Sequence, residues 1–563
     1  MKLKISNLKF DSLKVLRRRI VIPVSIFIFS FTLIPLRQFR GLTLMPGDLG
    51  DARLNNYFLE TLYLRLTGEL DSFWNMGMFF PYPLVGGFSD NHFGSAIFYV
   101  LPRYFLGQPE TAFQIWFLLG YLLNFSFAYL ALRKLGMSSI GASVGAGIFA
   151  FALPTSAHAI HVQLHHRWAI PMAIAAISTF LKGGGSKWLG IAALWITAQF
   201  YIGIYTGFFN LLFVAAIIFS HLIIRVFTLR TSQRSKNLKL FKNLDYTSSA
   251  KLIGMLLTAL LAIAALFFTY YKVSLLYIGS RSWAEIVYAL PRPSSYFIAD
   301  QSLLWRSLSG KIENIPWRWE HQMFIGVVPM ILFLLGAIVM FRTKNRAAAE
   351  IYLATTLTVV LTLYVKESFS LWYFVHDFPL FSAIRVVSRV DQILLFAVGY
   401  GSALFLTWLG ARQVRNRNRL NTLMAVIALL ALLEAATGTI GTSEKSVWRE
   451  RVANLAKKVP SDLPKDSVLY FAQTDPWYAH ELDAMWVSLQ AGKPTLNGYS
   501  GQAPPGWNFT YGADCNSIPI QVASYQVWAN AHPNYAKNFS GLLSRIRPIG
   551  FINCDYMYFQ RNP

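Results

Sequence analysis

Two aspartates, Asp48 and Asp51, are the side chains of this sequence best placed to do chemistry. They lie in the segment 46–54 (Pro-Gly-Asp-Leu-Gly-Asp-Ala-Arg-Leu), just after the first long apolar run. An ionised carboxylate is costly near lipid hydrocarbon, so a pair at the outer mouth of an apolar helix bundle indicates a functional site. A positioned carboxylate can also accept a proton from an attacking hydroxyl group. The alternative is structural: Asp51 would cap a helix that begins at Ala52, and Asp48 would form a turn.

A second polar cluster, Ser89-Asp90-Asn91-His92, follows an aromatic and proline-rich loop. We expect Asp90 and His92 to position an acceptor or to support the base. Asp90 is also a candidate ligand for a divalent cation, Mg²⁺ or Mn²⁺, together with Asp48 or Asp51. The alternative for Asp90 is an N-cap of a helix over 93–101.

A third candidate cluster combines charged and aromatic side chains. Glu320 and His321 stand beside Trp317 and Trp319, and an acid next to aromatic rings suits stacking on a ligand and binding of its hydroxyl groups. Tryptophans at this depth also serve as membrane-interface anchors, which is the alternative.

Four histidines approximate the spacing of one helical face, which raises the question of a metal site. They are His158, His161, His165 and His166. No carboxylate lies among them, and Arg167 follows directly in sequence. A position at the membrane interface or a contact with substrate is therefore favoured over metal binding.

Three cations lie in a segment that is expected to face outward, Lys366, Arg385 and Arg389. The two arginines are at i and i+4 and would share a face of a helix. The planar guanidinium group matches two phosphate oxygens, so we predict phosphate binding here. The alternatives are a snorkelling pair or a salt bridge to Asp391.

The elements that must position these residues are membrane spans. The chain has 563 residues, is 54% hydrophobic and is only 14% charged, and a bilayer core of ~30 Å needs ~20 apolar residues per helix. Eleven spans are predicted, near 20–36, 111–132, 138–157, 161–181, 188–203, 205–224, 252–271, 323–341, 347–365, 392–411 and 420–440. The fifth and sixth should fold back at 201–203, because one helix over 188–224 would be about 55 Å long.

The distribution of charge predicts the topology. The net charge is +24, and basic residues follow every even-numbered span, so these loops and the basic segment 1–19 are expected to be cytoplasmic. The excess charge therefore does not indicate nucleic acid binding. The segment 20–36 lacks a cleavage site and is expected to be a retained signal anchor. Loops 37–110 and 272–322 then face outward. Within the first of these, Leu54, Phe58, Leu62 and Leu66 recur every four residues and predict a helix lying along the membrane interface.

The segment 441–563 is less apolar and is predicted to form a small extracytoplasmic α/β domain. Strands are expected over 467–471 and 548–559, with a helix over 480–491. Both cysteines, Cys515 and Cys554, fall in this segment. A disulfide between them is expected on the oxidising side of a membrane.

Taken together, these motifs resemble the GT-C superfamily of integral membrane glycosyltransferases. The resemblance is carried by the acidic motif of 47–54 and by Phe79-Phe80-Pro81-Tyr82-Pro83 followed by Phe88-Ser89-Asp90-Asn91-His92-Phe93-Gly94. It extends to Phe378-Pro379-Leu380-Phe381-Ser382-Ala383-Ile384-Arg385 with Ser388-Arg389, and to Leu496-Asn497-Gly498-Tyr499-Ser500-Gly501. The adjacent Asp-Glu pair that some GT-C families carry in the first outer loop is absent.

The resemblance implies an inverting transferase in a prokaryotic plasma membrane. It would move a sugar from a polyprenyl-phosphate carrier to a lipid, glycan or protein on the outer face, with Asp48 or Asp51 as base and Asp48 favoured by its closeness to the membrane. Asp90, His92, Glu320 and His321 would position the acceptor or a cation, and the cations of 366–389 would hold the phosphate. Membrane lipids would be further partners. A transporter or flippase of lipid-linked glycans is the alternative, but its polar residues should lie near the bilayer midplane. A non-catalytic assembly protein on the same scaffold is the third hypothesis.

Overall fold

Apolar helices dominate the structure, because a chain in hydrocarbon must satisfy its backbone hydrogen bonds within each helix. The computed structural model describes residues 20–231, 246–277, 281–365, 369–413, 416–471, 477–507, 517–536 and 541–550. The helices are α1 (Ile20–Leu36), α2 (Asp51–Thr67), α3 (Ile97–Leu106), α4 (Pro109–Lys134), α5 (Ser139–Phe151), α6 (Leu153–Ala157), α7 (Ala169–Leu181), α8 (Lys187–Ile202), α9 (Ile204–Thr231), α10 (Tyr246–Leu276), α11 (Trp283–Ile286), α12 (Arg306–Ser309), α13 (Val327–Thr343), α14 (Arg346–Thr362), α15 (Asp391–Gly410), α16 (Arg417–Ala435), α17 (Lys445–Ala456), α18 (Tyr478–Gln490), α19 (Ser517–Ala531) and α20 (Leu542–Arg545).

The strands are short and lie outside the helix bundle. They are β1 (Leu44–Pro46), β2 (Tyr364–Val365), β3 (Phe369–Ser370), β4 (Thr442–Glu444), β5 (Val468–Phe471) and β6 (Ile546–Ile549). The β1 and β4 strands pair antiparallel, with Leu44 opposite Glu444. This pairing fastens the start of the first outer loop to the start of the C-terminal segment.

Each predicted span coincides with one helix, namely α1, α4, α5, α7 to α10 and α13 to α16. Among the described residues, six stretches are long and apolar enough to cross a membrane: Pro109–Lys134, Ser139–Ile160, Ile204–Thr228, Ser249–Leu276, Val387–Gly410 and Arg417–Ala435. The chain is therefore a multi-pass membrane protein. The number of eleven spans and their orientation remain predictions.

Two predicted boundaries can be compared directly with the structure. The fold-back at 201–203 is confirmed, since α8 ends at Ile202, Gly203 is extended and α9 begins at Ile204. The fourth span is shorter than predicted: α7 begins only at Ala169, and 153–164 form short helical turns. The polar side chains before α7 explain this, because they are bound by groups around them. Arg167, for example, donates to Gln392 Oε1 at 2.7 Å.

The bundle core forms around α5, which packs against α4, α15 and α16. Its small residues permit this close packing. A Cβ atom at Gly145 would lie only 2.4 Å from the carbonyl oxygen of Gly399 on α15. Small residues let membrane helices approach backbone to backbone. The close contact fixes α15, and part of the candidate site is built at the start of this helix.

The amphipathic helix of the first outer loop is present as α2, but its predicted position was wrong. Leu54, Phe58 and Leu62 are buried in an apolar cluster shared with the C-terminal segment, whereas Leu66 is 68% exposed. The face was expected to lie along the membrane interface. The C-terminal segment instead supplies an apolar partner, including Trp486 of α18, whose ring lies 5.8 Å from that of Tyr57.

The C-terminal segment contains one strand and one helix that the sequence predicts. The β5 strand and α18 match the predicted strand over 467–471 and helix over 480–491, and β5 pairs in parallel with β6. The predicted strand 548–559 begins within β6 and continues outside the described residues. Cys515 and Cys554 also lie outside them, so the disulfide stays a prediction. That the segment is a separate domain likewise stays a prediction.

Candidate active site

The start of α2 gives Asp48 and Asp51 different environments. Gly47 has φ of +79°, and a Cβ there would lie 2.3 Å from the Cβ of Ala52, so this tight turn requires glycine. Asp48 Oδ1 accepts hydrogen bonds from the backbone N–H of Gly50 at 3.0 Å and of Ala52 at 3.5 Å. Burial, and then repulsion from Asp51, raises the pKa of Asp48. Its carboxylate therefore closes the turn that starts the helix.

Asp51 is the first residue of α2 and faces a polar cavity. Its Oδ2 lies 2.9 Å from His161 Nδ1, and its Oδ1 accepts a hydrogen bond from the Tyr499 hydroxyl at 3.2 Å. Burial acts to raise the pKa of Asp51, but the hydrogen bond and positive charge of His161 lower it overall. The helix N-terminus also favours an anion here. Asp51 is thus ionised at neutral pH.

His161 joins Asp51 to a second buried carboxylate. It lies in the short turns before α7, outside the spanning helices, and its Nε2 is 3.2 Å from Glu320 Oε1. Burial opposes its protonation, but the adjacent carboxylates, Glu320 foremost, raise the pKa of His161 to about 9. The protonated ring hydrogen-bonds to Asp51 through Nδ1 and forms an ion pair with Glu320 on its other side.

Glu320 connects this histidine to Arg389. The Arg389 guanidinium donates from Nε at 3.1 Å and from Nη2 at 2.7 Å to the two oxygens of Glu320. It also lies 5.0 Å from the ring centroid of Tyr205. Both members of the pair are buried, and a bidentate pair of this kind is rigid. The four side chains from Asp51 to Arg389 therefore form a chain of alternating charge along one wall.

Two further arginines complete the cationic part of the cavity. Arg385 Nη1 is 3.6 Å and Arg281 Nη1 is 3.1 Å from the same oxygen of Glu285. The backbone N–H of Arg281 donates to Ser382 O at 3.0 Å, which holds the two segments together. The three arginines outnumber the two carboxylates that pair with them.

Asp51 and the three arginines line one cavity of about 410 Å³ near the starts of α9 and α15 and the end of α10. Its wall includes carboxylates, guanidinium groups, amides and aromatic rings. The lining residues are Asp51, Leu54, Asn55, Gly87, Phe88, Ser89, Asp90, Gln163, Ile204, Tyr205, Tyr270, Val273, Ser274, Arg281, Ser382, Ala383, Ile384, Arg385, Arg389, Tyr499, Ser500, Gly501 and Gln502. Sequence segments that are far apart thus converge at one site.

Asp90 lies on the same wall and is buried. Its Oδ1 accepts hydrogen bonds from the backbone N–H of Ile204 and, at 3.0 Å, of Asn91. The expected alternative was a cap on 93–101, but Asp90 instead binds the first turn of the distant helix α9. Burial raises the pKa of Asp90 to about 6, despite these hydrogen bonds. Its Oδ2 has no protein hydrogen-bond partner among the described residues, and Asp90 lines the cavity.

His92 and His321 are placed behind the site, away from the cavity wall. His92 Nε2 is 2.7 Å from Asn55 Oδ1, and Asn55 in turn donates to Asp51 O at 2.7 Å. Burial lowers the pKa of His92 to about 3, so the neutral ring donates to that amide. His321 Nδ1 and Nε2 bind Ser295 Oγ and Tyr288 O. Burial lowers the pKa of His321 to about 4.

The two predicted phosphate-binding arginines share the cavity, but not one helical face. Arg385 lies in extended chain between two 3-10 turns, and only Arg389 belongs to the second turn. Asp391, the alternative partner of these arginines, is 3.3 Å from His158 instead. The partner of Arg389 is Glu320, whose two carboxylate oxygens both accept hydrogen bonds from the Arg389 guanidinium group. Lys366 lies outside the described residues.

The four histidines have separate roles. His165 and His166 approach the carbonyl oxygens of Phe117 and Trp116 on α4, at 2.8 and 3.1 Å. Within the described ranges, no group of three or more His, Cys, Asp or Glu is placed to bind a metal ion. A divalent cation therefore stays a prediction.

Sequence reasoning missed several residues of the cavity. Arg281, Gln163 and Tyr205 were not singled out, and His161 was considered only as part of the histidine cluster. One signal was present for Arg281: it is a cation in the loop 272–322, which was expected to face outward. Its pairing at i+4 with Glu285 instead fits an ordinary surface pair.

Comparison with known proteins finds similarity only at the level of structure, at low sequence identity. No protein-family model and no curated protein matches the sequence. Among solved structures, arabinofuranosyltransferase AftD from Mycobacteria aligns at 11% identity and a TM-score of 0.45, over 81% of this chain and 30% of AftD. The chain thus spans less than a third of AftD.

ArnT from Cupriavidus metallidurans aligns in two states. In the apo state the TM-score is 0.47 at 10% identity, over 95% of this chain and 91% of ArnT. Bound to undecaprenyl phosphate, it gives 0.41 at 12% identity, over 86% and 90%. Both proteins are GT-C glycosyltransferases, the superfamily that the sequence motifs resemble.

Proposed function

We propose that this chain is a membrane glycosyltransferase that takes a sugar from a polyprenyl-phosphate-linked donor and transfers it to an acceptor at the outer membrane face. One observation carries the proposal. An ionised carboxylate, Asp51, shares a cavity of about 410 Å³ with three arginines. A base and a phosphate-binding group in one cavity are the two elements that this reaction needs.

The reaction is a displacement at the anomeric carbon. The acceptor oxygen forms a bond to that carbon while the bond from the carbon to the phosphate oxygen breaks. The electron pair of the broken bond leaves with the polyprenyl phosphate, and the acceptor proton passes to Asp51. Attack from the face opposite the phosphate inverts the configuration of the sugar. Asp51 also stabilises the positive charge that develops on the ring.

The arginines are suited to the leaving group. Arg389 is fixed by Glu320 and Tyr205, and its Nη1 has no protein hydrogen-bond partner in the described part of the chain. Arg385 and Arg281 share the single carboxylate of Glu285 and retain donors for another oxygen ligand. Preorganised cations of this kind stabilise the charge that accumulates on a departing phosphate.

Asp90 is proposed to bind an acceptor hydroxyl group through Oδ2. Divalent-cation binding by Asp90 with Asp51 is the second role we propose for it. Glu320 acts indirectly, because both of its oxygens are occupied by Arg389 and His161. We assign it to positioning the base and the phosphate-binding arginine.

Transfer by the purified chain tests the proposal. The protein is reconstituted in liposomes with a panel of radiolabelled polyprenyl-phosphate sugars and an extract of envelope acceptors. We expect label to move to an acceptor, with release of polyprenyl phosphate, and Asp51→Asn to abolish this movement. Asp48→Asn is the matched control, since Asp48 is outside the cavity wall. Transport of intact lipid-linked sugar without any transfer would overturn the proposal in favour of a flippase.

A further inference from the structure

A second polar pocket lies on the other side of α2. It has a volume of about 160 Å³ and is enclosed by α2, the first turn of α4, α17 and α18. Arg53, Asn56 and Trp486 form its buried floor, and Arg449 and Gln490 stand at its exposed rim. It is therefore closed at one end and open to solvent at the other.

The floor of this pocket contains hydrogen-bonding groups that the protein leaves unused. Asn56 is 1% exposed, and neither its Nδ2 nor its Oδ1 has a partner among the described residues. The same holds for Arg53 Nη2 and for the indole Nε1 of Trp486. Unpaired polar atoms in a buried site carry a free-energy cost that a bound ligand would remove.

The rest of Arg53 is firmly held. Its Nη1 forms an ion pair with Asp483 of α18, and Asp483 also binds Arg451 of α17. This network fixes the guanidinium group of Arg53, which lines the pocket. The floor is thus preorganised for a ligand and does not need to rearrange.

The chemistry of the pocket fits a sugar ring. An amide offers one acceptor and two donors, and guanidinium and indole groups add donors, which together match hydroxyl groups that both give and accept hydrogen bonds. Trp448 and Trp486 supply aromatic surface. The volume of about 160 Å³ exceeds the roughly 10–15 Å³ that one water molecule requires. A long apolar group would leave the buried donors unpaired.

The position of the pocket relates it to the candidate active site. At 3.6 residues per turn, Arg53 and Asn56 lie about 140–200° around α2 from Asp51. The two sites therefore share a helix but not a wall. A glycan chain that passes around α2 would contact both.

From this the geometry points to a second carbohydrate site, which holds one sugar unit of a glycan acceptor while its terminal hydroxyl reaches the cavity of Asp51. The assignment to the acceptor rests on the proposed function. The presence of a sugar-binding site does not.

Saturation-transfer NMR on the purified full-length chain tests the binding site. The probes are methyl glycosides of glucose, galactose, mannose and N-acetylglucosamine. We expect at least one to receive saturation from the wild-type protein, and Asn56→Ala to weaken that binding about tenfold through the loss of amide hydrogen bonds. Trp486→Phe, which keeps an aromatic ring but removes the N–H, should also weaken it. Binding to none of the probes would show a pocket filled by water only and would overturn the proposal.

Two controls separate this inference from the proposed function. Asn454→Ala removes an exposed amide of α17 outside the pocket and should leave glycoside binding unchanged. Asp51→Asn should keep glycoside binding while transfer is lost. In a transfer assay with a glycan acceptor, Asn56→Ala should raise the acceptor KM about tenfold with kcat and the donor KM unchanged. Equal acceptor KM values for the wild type and Asn56→Ala would show that the pocket does not bind the acceptor. Glycoside binding without any transfer would refute only the proposed function.

Discussion

The two ends of α9 carry basic pockets of similar composition and different construction. At one end is the cavity with Arg281, Arg385 and Arg389. At the other, about 25 Å away along the helix axis, a pocket of about 550 Å³ contains Lys182, Arg225 and Arg346. Each has three cations and at least one carboxylate. Residue types alone therefore do not identify the catalytic end.

The difference lies in what holds the cations. Arg389 is 5% exposed and bound by both oxygens of Glu320, whereas the Arg346 side chain is 45% exposed and only 3.4 Å from one oxygen of Glu350. The same oxygen of Glu350 lies 2.7 Å from His221 Nδ1. Water screens exposed cations and leaves them mobile, while buried ones keep their direction and their field. The comparison shows that preorganisation, more than charge, distinguishes a site for chemistry.

The second difference is Asp51, which begins α2 on the cavity wall and contacts His161 and Tyr499, and its removal should have the largest effect. We expect Asp51→Asn to lower kcat of transfer by about 10²–10⁴, the range over which a general base contributes. Asp48→Asn should cost about tenfold or less, through the turn before α2. Initial rates with saturating donor measure both. Should Asp48→Asn prove the more damaging, the base would belong to the turn and the cavity would lose its central residue.

Breaking the buried pair should have the next largest effect. Arg389→Ala removes the bidentate partner of the buried Glu320 carboxylate and leaves it paired with His161 alone, so we expect the free energy of unfolding to fall by about 3–5 kcal/mol. Denaturant or thermal unfolding in detergent measures this loss.

A double variant is the control for that measurement. Arg389→Met combined with Glu320→Leu removes both charges and should recover most of the stability without recovering transfer, because the phosphate-binding group is still missing. A double variant as unstable as Arg389→Ala would show that the stranded carboxylate is not the cause.

The sequence predicts the helices of the bundle more closely than it predicts the site. Long uncharged runs predict membrane-spanning helices directly, because hydrocarbon permits few other structures. The fold-back at Gly203 follows from the length of the uncharged run alone. The start of α7 at Ala169 could not be obtained this way. It depends on tertiary hydrogen bonds of Arg167, which come from residues on other helices.

The sequence predicted several residues of the candidate site but not which side chains pair with one another. Asp51, Asp90, Arg385 and Arg389 could be selected because charged residues are expensive at the membrane boundary. The partner of Arg389 could not, since Asp391 is near in sequence whereas Glu320 is near only in space. His161 could not be separated from the neighbouring histidines for the same reason.

The two basic pockets can be compared directly through paired substitutions. Arg281→Ala with Arg385→Ala removes two donors from the cavity, and we expect the donor KM to rise about 10–100-fold, since hydrogen bonds to charged groups contribute roughly 1.5–3 kcal/mol each before the solvent exposure of these side chains reduces them. Lys182→Ala with Arg346→Ala removes the same number of charges from the other pocket and should change the donor KM less than about twofold. Equal effects of the two pairs would mean that overall charge, and not the cavity, binds the donor.

The smallest effect at neutral pH is expected from His161→Gln. This substitution tests whether His161 controls the pKa of Asp51. In the wild type the hydrogen bond and charge of His161 hold the pKa of Asp51 below 3.8, so the base is ionised and its titration should not limit kcat/KM between pH 5 and 7. Without the imidazolium, burial and the charge of Glu320 meet less opposition, and the pKa of Asp51 rises. Protonation then removes the base as the pH falls, so the acid limb of kcat/KM should move to higher pH while the rate at pH 8 changes little. Asp90, with a pKa of about 6, titrates in both proteins, so the shift is read as the difference between the two profiles. Superimposable profiles would show that His161 does not tune the base, and the alternating chain from Asp51 to Arg389 would then be a means of holding the wall together.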